Sequence, residues 1–134
     1  MKRNILVIDD EDDAFQMITV MLEDADCEVI GANSGADGIK HLAGGGVDLA
    51  IIDILMPVMD GIEFIRSVQD TYPALPIVAI SGGGSAHNPD VNSDFLRYAQ
   101  SFGANATLSK PFRREELLAI VNRILPPGPA EATR

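Results

Sequence analysis

Short apolar runs alternate along the chain with stretches in which apolar residues recur every three to four positions. The runs are NILVI (4–8), CEVIGA (27–32), VDLAIID (47–53), PIVAIS (76–81) and ATLS (106–109). Being short, rich in Ile and Val and bounded by turn formers, they predict five strands. Between them the period becomes helical. Phe15, Ile18, Leu22 and Ala25 share one face, and Ile39, Leu42 and Ala43 a shorter one. Ile62, Ile65 and Val68, then Phe95, Ala99 and Phe102, then Leu117, Val121 and Ile124 complete five predicted helices. Alternation of strand and helix predicts a doubly wound α/β fold, because each parallel pair needs a crossover and right-handed crossovers lay helices on both faces of the sheet. The segments LAII and IVAI are apolar throughout, as strands buried on both sides should be.

Turn residues mark the boundaries. Asp60 and Gly61 open the third helix, Pro73 and Pro76 separate it from the fourth strand, and Pro111 follows the fifth. Residues 1–125 therefore read as one domain, and 126–134, PPGPAEATR, as a flexible tail too poor in apolar residues to pack. The connection from Gly82 to Asn92, GGGSAHNPDVN, has three glycines, a proline and no period. A connection of this length is either functional or a tolerated insertion.

Length adds little, since 134 residues suit a single core. Charge says more: twenty acids against ten bases leave −10, which disfavours direct contact with nucleic acid or an anionic membrane and favours a cation or a protein partner. Cys27 is the only cysteine, so no internal disulfide forms and the chain suits a reducing compartment. The apolar run after Lys2 and Arg3 is cut short at Asp9, too early for a signal peptide or a membrane span, and a cytoplasmic location follows.

Ligands of doubly wound sheets gather outside the carboxyl ends of the strands. Asp9 and Asp10 end the first predicted strand, Asp53 the third and Ser81 the fourth, while Lys110 closes the fifth. Three carboxylates crowded together hold a proton or a cation, and Mg2+ suits an all-oxygen set that leaves room for water and phosphate. The spacing of an EF-hand is missing, and His41, His87 and Cys27 show no ligand spacing for zinc or iron. Glu11, Asp12 and Asp13 have a different explanation: at the start of the first helix each gains about 0.3–1 kcal/mol from the macrodipole. Lys110 beside the acids neutralises charge and is placed to meet a phosphoryl oxygen, with Pro111 fixing the backbone.

Four segments, LVIDDE, IIDILMPVMDG, AISGG and SKPF, occur in one order over residues 4–125 and together resemble the CheY-like receiver domain of two-component response regulators. The resemblance implies a flavodoxin-like five-stranded parallel sheet of order 2-1-3-4-5. It implies that Asp53 is the phosphoacceptor, charged by a sensor histidine kinase or a histidine phosphotransfer protein, and that the domain catalyses its own phosphorylation and dephosphorylation rather than acting as an ordinary enzyme. Mg2+ would be bound by Asp10, Asp53 and the backbone carbonyl of Leu55, with Asp9 helping through water. Lys110 and Ser81 would contact the phosphoryl group, and Ser81 would act as the switch. The second switch position, usually aromatic in the family, is Thr107, and the connection after Ser81 is longer than usual. Leu55 and Gly83 would flank the phosphate and set its lifetime in a direction the sequence leaves open. Phosphorylation would alter the surface for an unidentified downstream protein, and the face of the fourth helix, fifth strand and fifth helix would dock it or form a homodimer. No output domain follows residue 125, so the chain either acts alone or belongs to a larger protein.

Three alternatives compete. One is a receiver-like protein-interaction module that works without phosphorylation. A second is a Mg2+-dependent phosphohydrolase, which would need a second Asp where Leu55 stands. The third is an FMN flavodoxin, whose hydroxyl and glycine phosphate loop after the first strand is here replaced by acids.

Overall fold

The computed structural model describes residues 3–23, 25–53, 61–81, 97, 100–101 and 103–126. Five parallel strands, β1 (Arg3–Ile8), β2 (Cys27–Ala32), β3 (Leu49–Asp53), β4 (Ile77–Ser81) and β5 (Ala106–Ser109), form one sheet in the order β2-β1-β3-β4-β5. Between them lie α1 (Asp12–Glu23), α2 (Gly35–Ala43) and α3 (Gly61–Thr71), and a C-terminal helix (Arg114–Ile124) ends the domain. The flavodoxin-like doubly wound arrangement expected from the sequence is the one observed. Arg97, Gln100 and Ser101 are helical, whereas Phe95, Ala99 and Phe102 of the predicted fourth helix lie outside the described residues, as do Asp60, Gly82–Asn92 and the tail from 127.

Side chains alternate across each strand, so the sheet feeds two cores. Ile5, Val7, Ile51, Val78 and Ile80 meet Ile18 and Leu22 of α1 and Leu117 and Val121 of the C-terminal helix. Leu6, Ile8, Ala50, Ile52, Ile77 and Ala79 meet Leu42 of α2 and Phe64, Ile65 and Val68 of α3. Because β1, β3 and β4 are covered on both faces, their apolar character is continuous rather than alternating.

Several details differ from the sequence pattern. β3 starts at Leu49, not Val47, because the Asp48 carboxylate accepts the Asn4 N–H at 2.8 Å and its own N–H donates to the Asn4 carbonyl at 2.8 Å, closing the strand entry. Ala25 lies past the end of α1, in the turn where Asp26 takes φ 56°. Ala43 is exposed. The inner face of α2 instead includes the buried Gly38, where a Cβ would stand 2.6 Å from Ile8 Cδ1, so any larger residue there would make the Ile8 side chain shift. Arg3 ties the entry of β1 to the end of the chain's last helix, donating to the Leu125 carbonyl at 2.8 Å, to Asn122 Oδ1 at 2.7 Å and to the Ala25 carbonyl. Cys27 is buried at the start of β2. Among the described residues no helix is long and apolar enough to cross a membrane.

Candidate functional site

Register places the acids. Ile8 of β1 pairs with Ile52 of β3, so the next residue of each, Asp9 and Asp53, leaves the sheet side by side. Asp53 pairs with Ile80, which puts Ser81 one step further along β4. Ser81 pairs with Ser109, and the Lys110 N–H donates to the Ser81 carbonyl at 2.7 Å, so Lys110 emerges at the same edge. Three central strands and the edge strand β5 thus deliver residues distant in sequence to one spot, as expected of the carboxyl end of such a sheet.

One oxygen from each of Asp9, Asp10 and Asp53 lies within 4.8 Å of the others. Lys110 Nζ stands 3.1 Å from Asp53 Oδ2 and 3.4 Å from Asp9 Oδ2. Asp9 and Asp53 are only 4% and 5% exposed, whereas Asp10 is open to solvent. The ammonium therefore serves the two buried carboxylates. Ser81 is fully buried, and its hydroxyl has no hydrogen-bond partner among the described residues. An orphaned hydroxyl at this edge is unusual, since buried polar atoms are nearly always paired.

The electrostatics follow from burial. Desolvation raises the pKa of Asp9; the Glu11 N–H and Lys110 oppose the rise and Asp53 adds to it. Burial also works against the charge of Lys110, but Asp53 and Asp9 together outweigh it and hold the ammonium above its ordinary range. The donor set is entirely oxygen, which fits a hard divalent cation such as Mg2+ and gives zinc no imidazole or thiolate. His41 pairs instead with Asp37 one turn away on α2, at 3.8 Å.

The structure brings together Asp9, Asp10, Asp53 and Lys110 and ends the neighbouring strand with Ser81. Thr107 lies in β5 opposite Ala79, half-buried, and Leu55 and Gly83 lie outside the described residues. The Lys110–Pro111 peptide is cis. Sequence reading overlooks two features. Asp9 Oδ1 accepts the Glu11 N–H at 2.9 Å, so Asp9 also organises the entry to α1, a dual use hinted at by an aspartate just ahead of a helix. Phe112 is 6% exposed and belongs to the core cluster that includes residues of α1 and the C-terminal helix; the signal is the aromatic in SKPF, within two residues of the lysine.

A doubly wound parallel sheet that gathers three carboxylates and a lysine at its carboxyl edge defines a narrow class of protein. The response regulator receiver domain family matches residues 5–122, and the chain belongs to that family. It is 36% identical over 126 residues to the response regulator receiver protein CpdR of Brucella abortus, covering 93% of this chain and 98% of that one. A putative response regulator from Chloroflexus aurantiacus superposes with a TM-score of 0.83 at 28% identity, covering 93% and 98% of the two chains. The chain is 32% identical to part of the CAI-1 autoinducer sensor kinase/phosphatase CqsS of Vibrio cholerae, over 87% of this chain. It spans only 16% of that protein, and 51% and 46% of two further regulators. Receiver domains take part in two-component signal transduction, accepting phosphoryl groups from histidine kinases and binding Mg2+ at an acidic pocket.

Proposed function

We propose that the chain is a phosphoryl-accepting switch in which Asp53 takes a phosphoryl group from the phosphohistidine of a sensor histidine kinase or histidine phosphotransfer protein. The observation that carries this reading is Lys110 Nζ at 3.1 Å from Asp53 with Asp9 and Asp10 alongside, a nucleophile, a cation and a metal-type donor set in one place. An Asp53 oxygen attacks phosphorus; the P–O bond forms as the P–N bond breaks, and the imidazole leaves with its electron pair. Lys110, already on Asp53, follows charge onto a phosphoryl oxygen, and the Ser81 hydroxyl, without a partner among the described residues, donates to another. Asp10 and Asp53, the Leu55 carbonyl, and Asp9 through water would hold Mg2+, which offsets negative charge on the phosphoryl oxygens. The chain's own groups promote phosphorylation and hydrolysis of Asp53 without turning over a separate substrate.

In this reading residues 1–125 form the switch and 126–134 a tail, and the chemistry takes place in the cytoplasm. Reversing a 1:99 conformational balance needs about 5.5 kcal/mol, which a few charge-assisted contacts to the phosphoryl group supply. With threonine at 107 the response runs through Ser81 rather than a rotating ring. The face of the fourth helix, β5 and the C-terminal helix then meets a downstream protein or a second copy. Incubation with Mg2+ and acetyl phosphate tests the reading: intact mass should rise by one base-labile phosphate, and the gain should vanish in Asp53→Asn. Equal labelling of both proteins would place the acceptor elsewhere.

A further inference from the structure

The connection from β5 to the C-terminal helix is short, and its residues divide sharply by burial. Ser109, Pro111 and Arg113 are exposed, Lys110 is partly buried, and Phe112 alone is sunk in the core, at 6% exposure. It belongs to the same core cluster as Ile18 and Leu22 of α1, Leu108 of β5, and Leu117 and Val121 of the C-terminal helix. On its other side the segment is fixed by the Lys110 N–H on the Ser81 carbonyl at 2.7 Å. A lysine side chain has a flexible four-carbon stem, and one nitrogen held at 3.1 Å from Asp53 and 3.4 Å from Asp9 requires a backbone that does not drift. Small displacements of a catalytic group far outweigh their size in their effect on rate.

We propose that Phe112 is a positioning residue for Lys110: its buried ring is the apolar anchor that holds the β5–helix connection so that the ammonium reaches Asp53 and Asp9 together. The inference rests on the reading of Asp53 as phosphoacceptor and Lys110 as its cation. Loosening the anchor has two consequences of opposite sign. The phosphoryl group loses a fixed positive charge, so phosphorylation slows. The carboxylates lose a competing cation, so Mg2+ binds more tightly. A purely structural loss would weaken both.

The test is a double-mutant cycle on the full chain with Phe112→Ala and Lys110→Ala, reading the initial rate of labelling by acetyl phosphate, Mg2+ affinity by calorimetry, and folding by circular dichroism. Phe112→Ala should slow labelling by about tenfold, the order expected when one charge-assisted contact is loosened. It should tighten Mg2+ binding, and neither change should appear in the Lys110→Ala background, because coupled residues are non-additive. Phe112→Leu, which keeps an apolar anchor, should stay within about twofold of the parent. If Phe112→Ala does not fold, Phe112→Val takes its place in the cycle. Equal losses in both backgrounds, or weaker Mg2+ binding in the folded single variant, would overturn the positioning role alone. Unchanged labelling in Lys110→Ala would overturn the reading of Lys110 and this inference with it.

Discussion

Asp10→Asn separates the cost of the acidic cluster from its use. Its carboxylate is the solvent-exposed member of a trio whose oxygens lie within 4.8 Å, and it faces two further acids and one ammonium, a net of one like charge. At that separation one like charge costs about 0.9 kcal/mol at the dielectric constant of water and about 3.5 kcal/mol at an effective constant of 20. Exposure favours the lower figure. The variant should therefore be about 1 kcal/mol more stable without metal, a rise in Tm of roughly 3–5 °C for a domain of this size. Saturating cation reverses the order: at one hundred times Kd the parent gains about 2.7 kcal/mol, and a variant lacking a ligand gains less. Thermal melts in EDTA and in excess MgCl2 measure both effects. A variant less stable than the parent in EDTA would refute the electrostatic account, and an undiminished shift with Mg2+ would remove Asp10 from the metal site.

The other predictions follow from single features. Ser81→Ala deletes a buried hydroxyl that has no partner among the described residues, so urea denaturation should place the unphosphorylated variant within about 0.5 kcal/mol of the parent or above it, while NMR shift changes on phosphorylation shrink. A larger loss would mean that the hydroxyl is bonded in solution. Lys110→Met removes the ammonium from two buried carboxylates and should cost about 3 kcal/mol at neutral pH in EDTA, part of it restored by Mg2+. The folded-state pKa of Lys110 lies above 10.5, so its contribution is full below 10.5 and fades as pH rises through the folded value; the gap between parent and variant should hold to about that pH and close only beyond it. Asp9 has the same sign at the acid end: with its pKa raised above 3.8, it favours the fold most below 3.8, so Asp9→Asn should gain stability relative to the parent as pH climbs from there in a denaturation series. Gly103→Ala forces a side chain onto φ 125° and into Gln69, whose amide donates to the Gly103 carbonyl at 3.0 Å. It should cost about 2 kcal/mol, and adding Gln69→Ala should recover less than half, because the backbone strain remains.

What the sequence carries well is what period and strand-end position encode. Runs such as LAII and IVAI can be satisfied only by burial on two faces, and that requirement leads to the parallel sheet and from there to the edge where Asp53 must emerge. Features that depend on what a side chain touches are not legible in this way. Ala43 fits a helical face by spacing yet is exposed, while Gly38 of the same helix is buried beside Ile8. Among the adjacent acids of DDEDD nothing local distinguishes Asp9 from Asp10, although one is buried and the other is not. Asp9 is the one that meets Lys110, 101 residues away in the sequence. That division bears on mechanism. Lys110 offsets one of the two buried negative charges and leaves Asp10 unshielded, so one net negative charge remains on the buried group and one stands at Asp10, on the side open to solvent. On the proposed reading a divalent cation held there would offset the remaining charge of the cluster in competition with the ammonium. The run of like charge that opens the first helix is thus tolerated for two separate physical reasons: its later members favour the helix terminus, and its first two are divided between a buried ion pair and a solvent-exposed position.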